Sequence, residues 1–513
     1  MNTVKYIHFV GIKGVGMTPL AIIAKEAGIS VSGSDISDEF ITDELLKKAE
    51  ILPLVGFSKT HIKDPDLVIA TGAHGGFDNL EVRVAREKKI KVITQGTAAG
   101  IFMDGAIFGK KFTGISVTGT HGKTTTTAMI ATILKSNNLD PTFLVGTGFV
   151  PSLGSDGHFG KGKYFVSEAD EYMTEPKYDK TIKFMWQNPK IAVITNIEFD
   201  HPDAYKTIDD VRNACEKFAQ KLEKDGVLIC CGDNVQVRKL LEKYKGKKIT
   251  YGFSKDNDFV ISGVRFRHSG DRPVGGDSRI SKGNARFWTR RVPDGNPSSQ
   301  NDGEDKGILE FRISRKGKDL GKIQINVFGI HNALNATAAF IVGLNLGLTP
   351  NNIRKGLLEF RGTKRRSEFI GTLKSGARLF DDYAHHPTEI QSTIKGFRQN
   401  FPDTKLVCIF QPHTYSRTKS LFEQFSKSFS DVDTLILTNI FASLREKKDP
   451  KISSELLAND TRKYSKNVYF LPTLRNVVEY VNSKNYGKDT IVITMGAGDV
   501  YKINQKLNIK YQK

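Results

Sequence analysis

The sequence predicts an α/β protein of three domains, each a mainly parallel sheet with helices. Three observations lead there. At 513 residues the chain is long enough for about three units of roughly 150 residues. Short apolar runs alternate throughout with helical patterns, the rhythm of parallel strands joined by crossover helices. Those runs fall into three blocks, with cuts expected near 107 and 328.

The first block, 1–107, holds the strand-like runs "YIHFVGI", "VSGSD", "DLVIATGA" and "KVITQ". Its opening strand passes into "GIKGVGMT", with Gly11, Gly14 and Gly16 spaced G-x-x-G-x-G rather than the G-x-G-x-x-G of dinucleotide folds. Glycines after a strand still let the backbone approach a pyrophosphate. Asp35 ends the next strand about twenty residues on, well placed for a ribose hydroxyl. Taken alone, this block would suit an NAD-dependent oxidoreductase. His74, in "TGAHGG", falls near the same rim.

The second block, 108–328, holds "ISVTGT", "YFVSEAD" and "KIAVITNIEFDH". Its "TGTHGKTTTT" looks like a phosphate-binding loop, but the usual spelling needs a glycine where Val117 stands. A strand (115–117) precedes the turn and a helical pattern (125–134) follows it. Backbone N–H groups at such a helix start point at anions, aided by the helix dipole. Lys123 would then neutralise β- and γ-phosphates, and the Thr124 hydroxyl would ligate Mg²⁺; spacing alone fits a plain strand-to-helix turn equally well. Glu168 and His201 each follow an apolar run, and ligands of an open parallel sheet sit at such strand ends. Singly, these read as a capping carboxylate and a turn histidine. Together with the loop they bring a phosphate cradle, a carboxylate and an imidazole to one rim.

Within this block, 266–306 is rich in Gly, Arg, Ser, Asp and Pro and too poor in apolar residues to fold alone. It reads as a flexible surface insertion, or else as a basic arm presenting Trp288 and Arg290 to an acidic partner.

The third block, 329–513, holds "RLFDDYAHH", "KLVCIFQPH", "TLILTNI" and "TIVITMGAGD". Unaided, the pair at 385–386 reads as a loop beside a helix start, and Arg365–Arg366 as a solvated basic pair.

The formal charge of +20 fits nucleic-acid binding or lysine spread over solvated surfaces, and no recognition motif accompanies it. No nucleic acid is expected, and attraction of a small anionic substrate is the milder use. The four cysteines show no C-x-x-C spacing, so reduced thiols in a cytoplasmic protein are expected. No apolar stretch reaches the ~18 residues of a membrane span, and no cleavable signal is read at the N-terminus.

"TGTHGKTTTT", "EADE", "TNIEFDHPD", "GIHNALNATAA", "GTKRRSE" and "DDYAHHPTEI" follow one another in the order seen in Mur ligases. The chain therefore resembles that family, the ATP-dependent amide-forming enzymes of peptidoglycan synthesis, whose phosphate loop has this shortened spelling. The resemblance runs from Gly11 to about Asp499, with 266–306 as the main departure. It implies a Rossmann-like N-terminal domain for a UDP substrate, a P-loop central domain for ATP, and a Rossmann-like C-terminal domain for the amino acid.

"FQPHTYSRT", "TMGAGD" and the four-threonine run resemble the branch that joins L-alanine to the lactyl carboxylate of UDP-N-acetylmuramate through an acyl phosphate. The region from "EADEYMTEP" to "KFMWQNPKIAVITNIEFDHPD" is more similar to the recycling branch, which attaches a whole tripeptide. The C-terminal domain selects the amine, so the first branch is favoured.

By resemblance, Gly119, Thr120, His121, Gly122, Lys123, Thr124 and Thr125 hold ATP. Asn332 contacts adenine, Arg365 or Arg366 closes on the nucleotide, and Asp382 edges its site. Thr124, Glu168 and His201 hold Mg²⁺, and the catalytic set is Lys123, His201, Arg366 and His385. Gly11, Gly14, Gly16, Asp35 and His74 serve the UDP substrate, while His386, His413 and Arg417 lie nearer the amino acid. A monomer or homodimer is expected.

Overall fold

The structure, a computed structural model, describes residues 4–267, 307–443 and 446–510. The expected insertion, with Trp288 and Arg290, lies outside the described residues except for 266–267 at its start.

The N-terminal sheet has five parallel strands in the order Leu54–Val55, Ser30–Asp35, Tyr6–Val10, Leu67–Ala70, Lys91–Thr94. Its central strands are buried on both faces because helices cover both, and the one polar side chain inside them, His8, is paired with Glu81. The chain winds first to one side of Tyr6–Val10 and then to the other. That reversal opens a crevice at the carboxyl ends, where Gly11 and Asp35 lie.

The central sheet has ten strands. From one edge they run Lys318–Ile325, Ile308–Arg315, Phe259–Arg267, Lys247–Gly252, Val227–Cys231, Ile191–Ile194, Thr113–Thr118, Tyr164–Glu168, Thr142–Leu144 and Gly157–His158. The middle of the sheet is parallel and its edges antiparallel. Alternation along its strands sorts the two faces. Ile115, Val117, Val193 and Ile229 pack under helices Lys123–Ser136, His331–Asn345 and Pro350–Glu359. Ala192, Ile194, Leu228 and Cys230 pack under Ile208–Ala219 and Val235–Lys243.

This packing moves one expected boundary. The two helices of 331–359 share a core with the phosphate-loop helix, and that core extends to Phe360. A cut near 328 would divide it, so we place the boundary at 361–367.

The third sheet runs Val468–Phe470, Thr434–Leu437, Lys405–Phe410, Thr490–Met495, Arg378–Asp382, Glu368–Leu373, Ile509–Lys510. Its first five strands are parallel, and the last two close one edge antiparallel. All four cysteines are buried and unpaired: Cys215, Cys230 and Cys231 in the central body, Cys408 in the third. Among the described residues no helix is long and apolar enough to cross a membrane.

Candidate functional site

Strand Thr113–Thr118 delivers the loop, and helix Lys123–Ser136 starts directly behind it. Two glycines make the loop possible. Gly122 has φ +82°, and a Cβ there would stand 2.5 Å from Asn335 Oδ1. Gly119, at φ +127°, lies against Thr195 and the Asn196 backbone, leaving no room for a side chain. The first glycine of the longer spelling is dispensable because Val117 is still inside the strand, paired with Val193 and Glu168.

Lys123 reaches back across its own loop. Its ammonium donates to Gly119 O (2.7 Å), Thr120 O (3.1 Å) and Glu171 Oε1 (2.9 Å). Burial disfavours that charge, but Glu171, Glu168 and Asp170 outweigh it and hold the lysine protonated. Beside it, Thr124 Oγ1 donates to Glu168 Oε1 (3.1 Å), and Gly146 N–H donates to Glu168 Oε2 (3.0 Å). Burial pushes the Glu168 carboxyl up, and it pushes Glu171 to about 7. Asp170 stays well below the carboxylate range because Lys183 and Lys123 overcome its burial.

His201 sits at φ +54°, a strained left-handed turn for a non-glycine residue. Its Nε2 lies 3.8 Å from Glu171 Oε1, and its ring packs on Tyr172 at 4.7 Å. Burial keeps this imidazole on the neutral side. Lys123, Glu168 and His201 thus gather around Glu171 and Thr124. The pairing of a hydroxyl with a carboxylate offers the oxygen ligands Mg²⁺ prefers.

The third domain closes over this rim. Arg417, nearly fully buried, donates from Nε to Asp200 Oδ1 (2.6 Å) and from Nη2 to Asp200 Oδ2 (3.2 Å). Arg417 Nη1 also lies 3.0 Å from His413 Nδ1, and the His413 and His385 rings are 6.2 Å apart. His385 stands 3.2 Å from Glu389, and burial drives its pKa down to about 3. Arg366 donates to the same Glu389 (3.3 Å). His121, in the phosphate loop, lies 3.3 Å from Glu389 and 3.4 Å from Glu198. Burial opposes its charge, yet Glu389 and Glu198 together raise it to about 9.

Between the central and third domains lies a cavity of about 470 Å³, lined by His121, Gly122, Thr125, Asn332, Arg366 and Asp382 among others. Asn332 is fixed at its wall by donating to Phe328 O (2.7 Å) and accepting from Asn335 Nδ2 (3.1 Å). Asp382 is a buried brace: it accepts from Ser367 N (2.7 Å) and Ala384 N (2.8 Å). Across the molecule, Asp35 accepts from Lys13 N (2.8 Å), and His74 Nε2 lies 3.3 Å from Asp35 Oδ1. Gly11, at φ +80°, packs against Thr71 and His74, which closes this second rim.

Sequence profiles agree with this three-part arrangement. The Mur ligase family catalytic domain matches 6–106, the Mur ligase middle domain 117–343, and the Mur ligase glutamate ligase domain 365–498. A curated relative, the UDP-N-acetylmuramate–L-alanine ligase of Desulfitobacterium hafniense, is 36% identical over 98% of this chain and 99% of its own. The chain belongs to the Mur ligase family. Among solved structures, the UDP-N-acetylmuramate–alanine ligase of Thermotoga maritima superposes with a TM-score of 0.74 at 25% identity, over 98% of this chain and 97% of that one. A murein peptide ligase from Psychrobacter arcticus shares the fold at 0.67 and 21% identity, over 99% and 100%.

The structure gathers most of the expected site residues on two rims. One is a correction. Arg365 does not face the cavity: its guanidinium donates to Asp381 Oδ2 (2.9 Å) and Gly496 O (2.6 Å) and packs over Tyr383 and Tyr501 inside the third domain. Arg366 alone of the pair lines the cavity. Gly14 is the least constrained of its glycines: a Cβ there would meet Gly11 O at 3.6 Å and Met17 at 3.7 Å, ordinary van der Waals distances. Sequence reasoning passed over Glu171, Glu198, Asp200 and Glu389. All four lie within quoted motifs, but only their position between two cations or two domains reveals them.

Proposed function

We propose that this Mur ligase joins L-alanine to the lactyl carboxylate of UDP-N-acetylmuramate at the expense of ATP. The observation that carries the reading is the convergence of Lys123, Thr124, Glu168 and His201 under a third domain held shut by Arg417. Whole-chain likeness to L-alanine ligases favours it over attachment of a tripeptide.

ATP fits the groups present. A glycine cradle at a helix N-terminus suits its phosphates, and the neighbouring cavity, with Asn332 on its wall, suits its base. The Thr124–Glu168 oxygens would hold Mg²⁺, with His201 beside them, and the ion would supply charge neutralisation to the triphosphate. The reacting carboxylate and the γ-phosphate repel each other. Lys123 and Arg366 offset that repulsion from fixed positions in a site that excludes water, where each charge counts for more. The acyl phosphate so formed needs protection from hydrolysis until the amine attacks, and domain closure provides it. Arg417 and His413 are placed to take the amino acid, and the rim of Gly11, Asp35 and His74 to hold the UDP moiety. The third domain begins after 361–367, and 329–360 travels with the ATP-binding body.

The test is phosphate release with ATP and UDP-N-acetylmuramate, comparing L-alanine, L-serine, glycine and a muropeptide tripeptide. L-alanine should give the highest kcat/KM. A preference for the tripeptide would transfer the chain to the recycling branch, and turnover with none would end the reading.

A further inference from the structure

His121, Glu198 and His386 come from three separate places: the phosphate loop, the turn after strand Ile191–Ile194, and the cap of helix Pro387–Asn400. One ligand atom from each lies within 4.8 Å of the others. His121 Nε2 is 3.4 Å and His386 Nδ1 is 3.8 Å from the same oxygen, Glu198 Oε2. Metal–ligand lengths of about 2.0–2.1 Å put tetrahedral ligand atoms about 3.3 Å apart; the two sides that meet at Glu198 are already near that spacing, and the third, within 4.8 Å, closes by a side-chain adjustment.

The outer nitrogens already face oxygen partners. His386 Nε2 lies 3.1 Å from Phe199 O, and its Nδ1 accepts from Thr388 N at 3.3 Å. The proton is therefore on Nε2, and the Nδ1 lone pair, which now accepts the long Thr388 N–H bond, is the one an ion would take. His121 Nδ1 faces Glu389 at 3.3 Å. Histidine ligands are commonly oriented by just such carbonyl and carboxylate partners on the far nitrogen.

We propose that His121, Glu198 and His386 form a binding site for a borderline divalent transition ion of the Zn²⁺ type, bridging the phosphate loop to the third domain. Two imidazoles and one carboxylate suit that class and disfavour Mg²⁺. The ion replaces the Nε2 proton of His121 and displaces the weak Thr388 contact. Its fourth position opens toward the cavity, which His121 and Glu198 both line. The site rests on this geometry and not on which amine the enzyme accepts.

The full chain, stripped of metal and held in excess Mg²⁺, is titrated with Co²⁺ while the visible d–d bands are read. One equivalent should give a saturable four-coordinate spectrum, bleached by Zn²⁺. Glu198→Gln and His386→Asn should each weaken binding at least tenfold. If His386→Asn fails to fold, the near-isosteric Glu198→Gln decides alone. The proposal falls if no saturable band appears, if Glu198→Gln binds as the wild type does, if the band is lost instead in Glu168→Gln, or if a thiolate charge-transfer band shows that cysteine holds the ion.

Discussion

Lys123 is bonded to the carbonyls of its own loop and to Glu171, which fixes its ammonium where, in the proposed reading, phosphate oxygens would arrive. Lys123→Ala should abolish turnover and leave UDP-sugar binding, on the other rim, nearly intact; equilibrium binding and phosphate release separate the two. His121 offers a pH signature. Its pKa rises on folding from the ordinary 6.5 to about 9. The native state therefore holds the proton more tightly, and that stabilisation is complete below pH 6.5 and lost as pH climbs through 9. The loss should be on the order of 3 kcal/mol. Denaturant melts of the metal-stripped chain across this window should show the decline in the wild type and a flatter profile in His121→Gln. The histidine was legible in the sequence as part of a phosphate loop. Its charge was not, because Glu389 arrives from another domain 268 positions along. Arg365 and Arg366 show the opposite limit. Adjacent arginines look alike in a string, and a left-handed φ of +58° at Arg365 turns one inward and leaves the other on the cavity.

At the level of elements, the loop depends on Gly122. An alanine there would combine a positive φ with a close approach to Asn335, so Gly122→Ala should cost more than about 1 kcal/mol and weaken ATP binding several-fold, read by calorimetry. The antiparallel hairpin of the central sheet makes a separate prediction. Strands Phe259–Arg267 and Ile308–Arg315 are still in register at their ends, Arg267 opposite Ile308. Replacing 268–304 by a short turn should leave kcat and KM within about twofold if that segment is a passive insertion, and a large loss would revive the acidic-partner reading. Strand positions were readable because apolar runs of this length, bounded by Gly and Asp, have few other uses. The phosphate-loop helix runs a little beyond its expected 125–134 at both ends. The helices of 331–359 were misassigned for a physical reason: periodicity reports an apolar face but not which sheet that face will cover.

On the scale of the whole molecule, the third domain is pinned to the ATP-binding body by polar contacts: Arg417 with Asp200, Thr388 Oγ1 with Glu198 (2.6 Å), and His386 with Phe199 O. These three fall on the short segment 198–200, right beside His201. The motif "TNIEFDHPD" thus serves two purposes that its spelling does not separate. The three cysteines of the central body and the single one of the third domain turn the protein into its own reporter. Cys231 lines the cavity, while the other three thiols are fully buried and react only while their host is open, so labelling rates at native pH time the breathing of each body independently. With saturating nucleotide, Cys215, Cys230 and Cys231 should be silenced far more than Cys408. Peptide mass mapping of the modified sites would show, residue by residue, which half of the clamp loosens first.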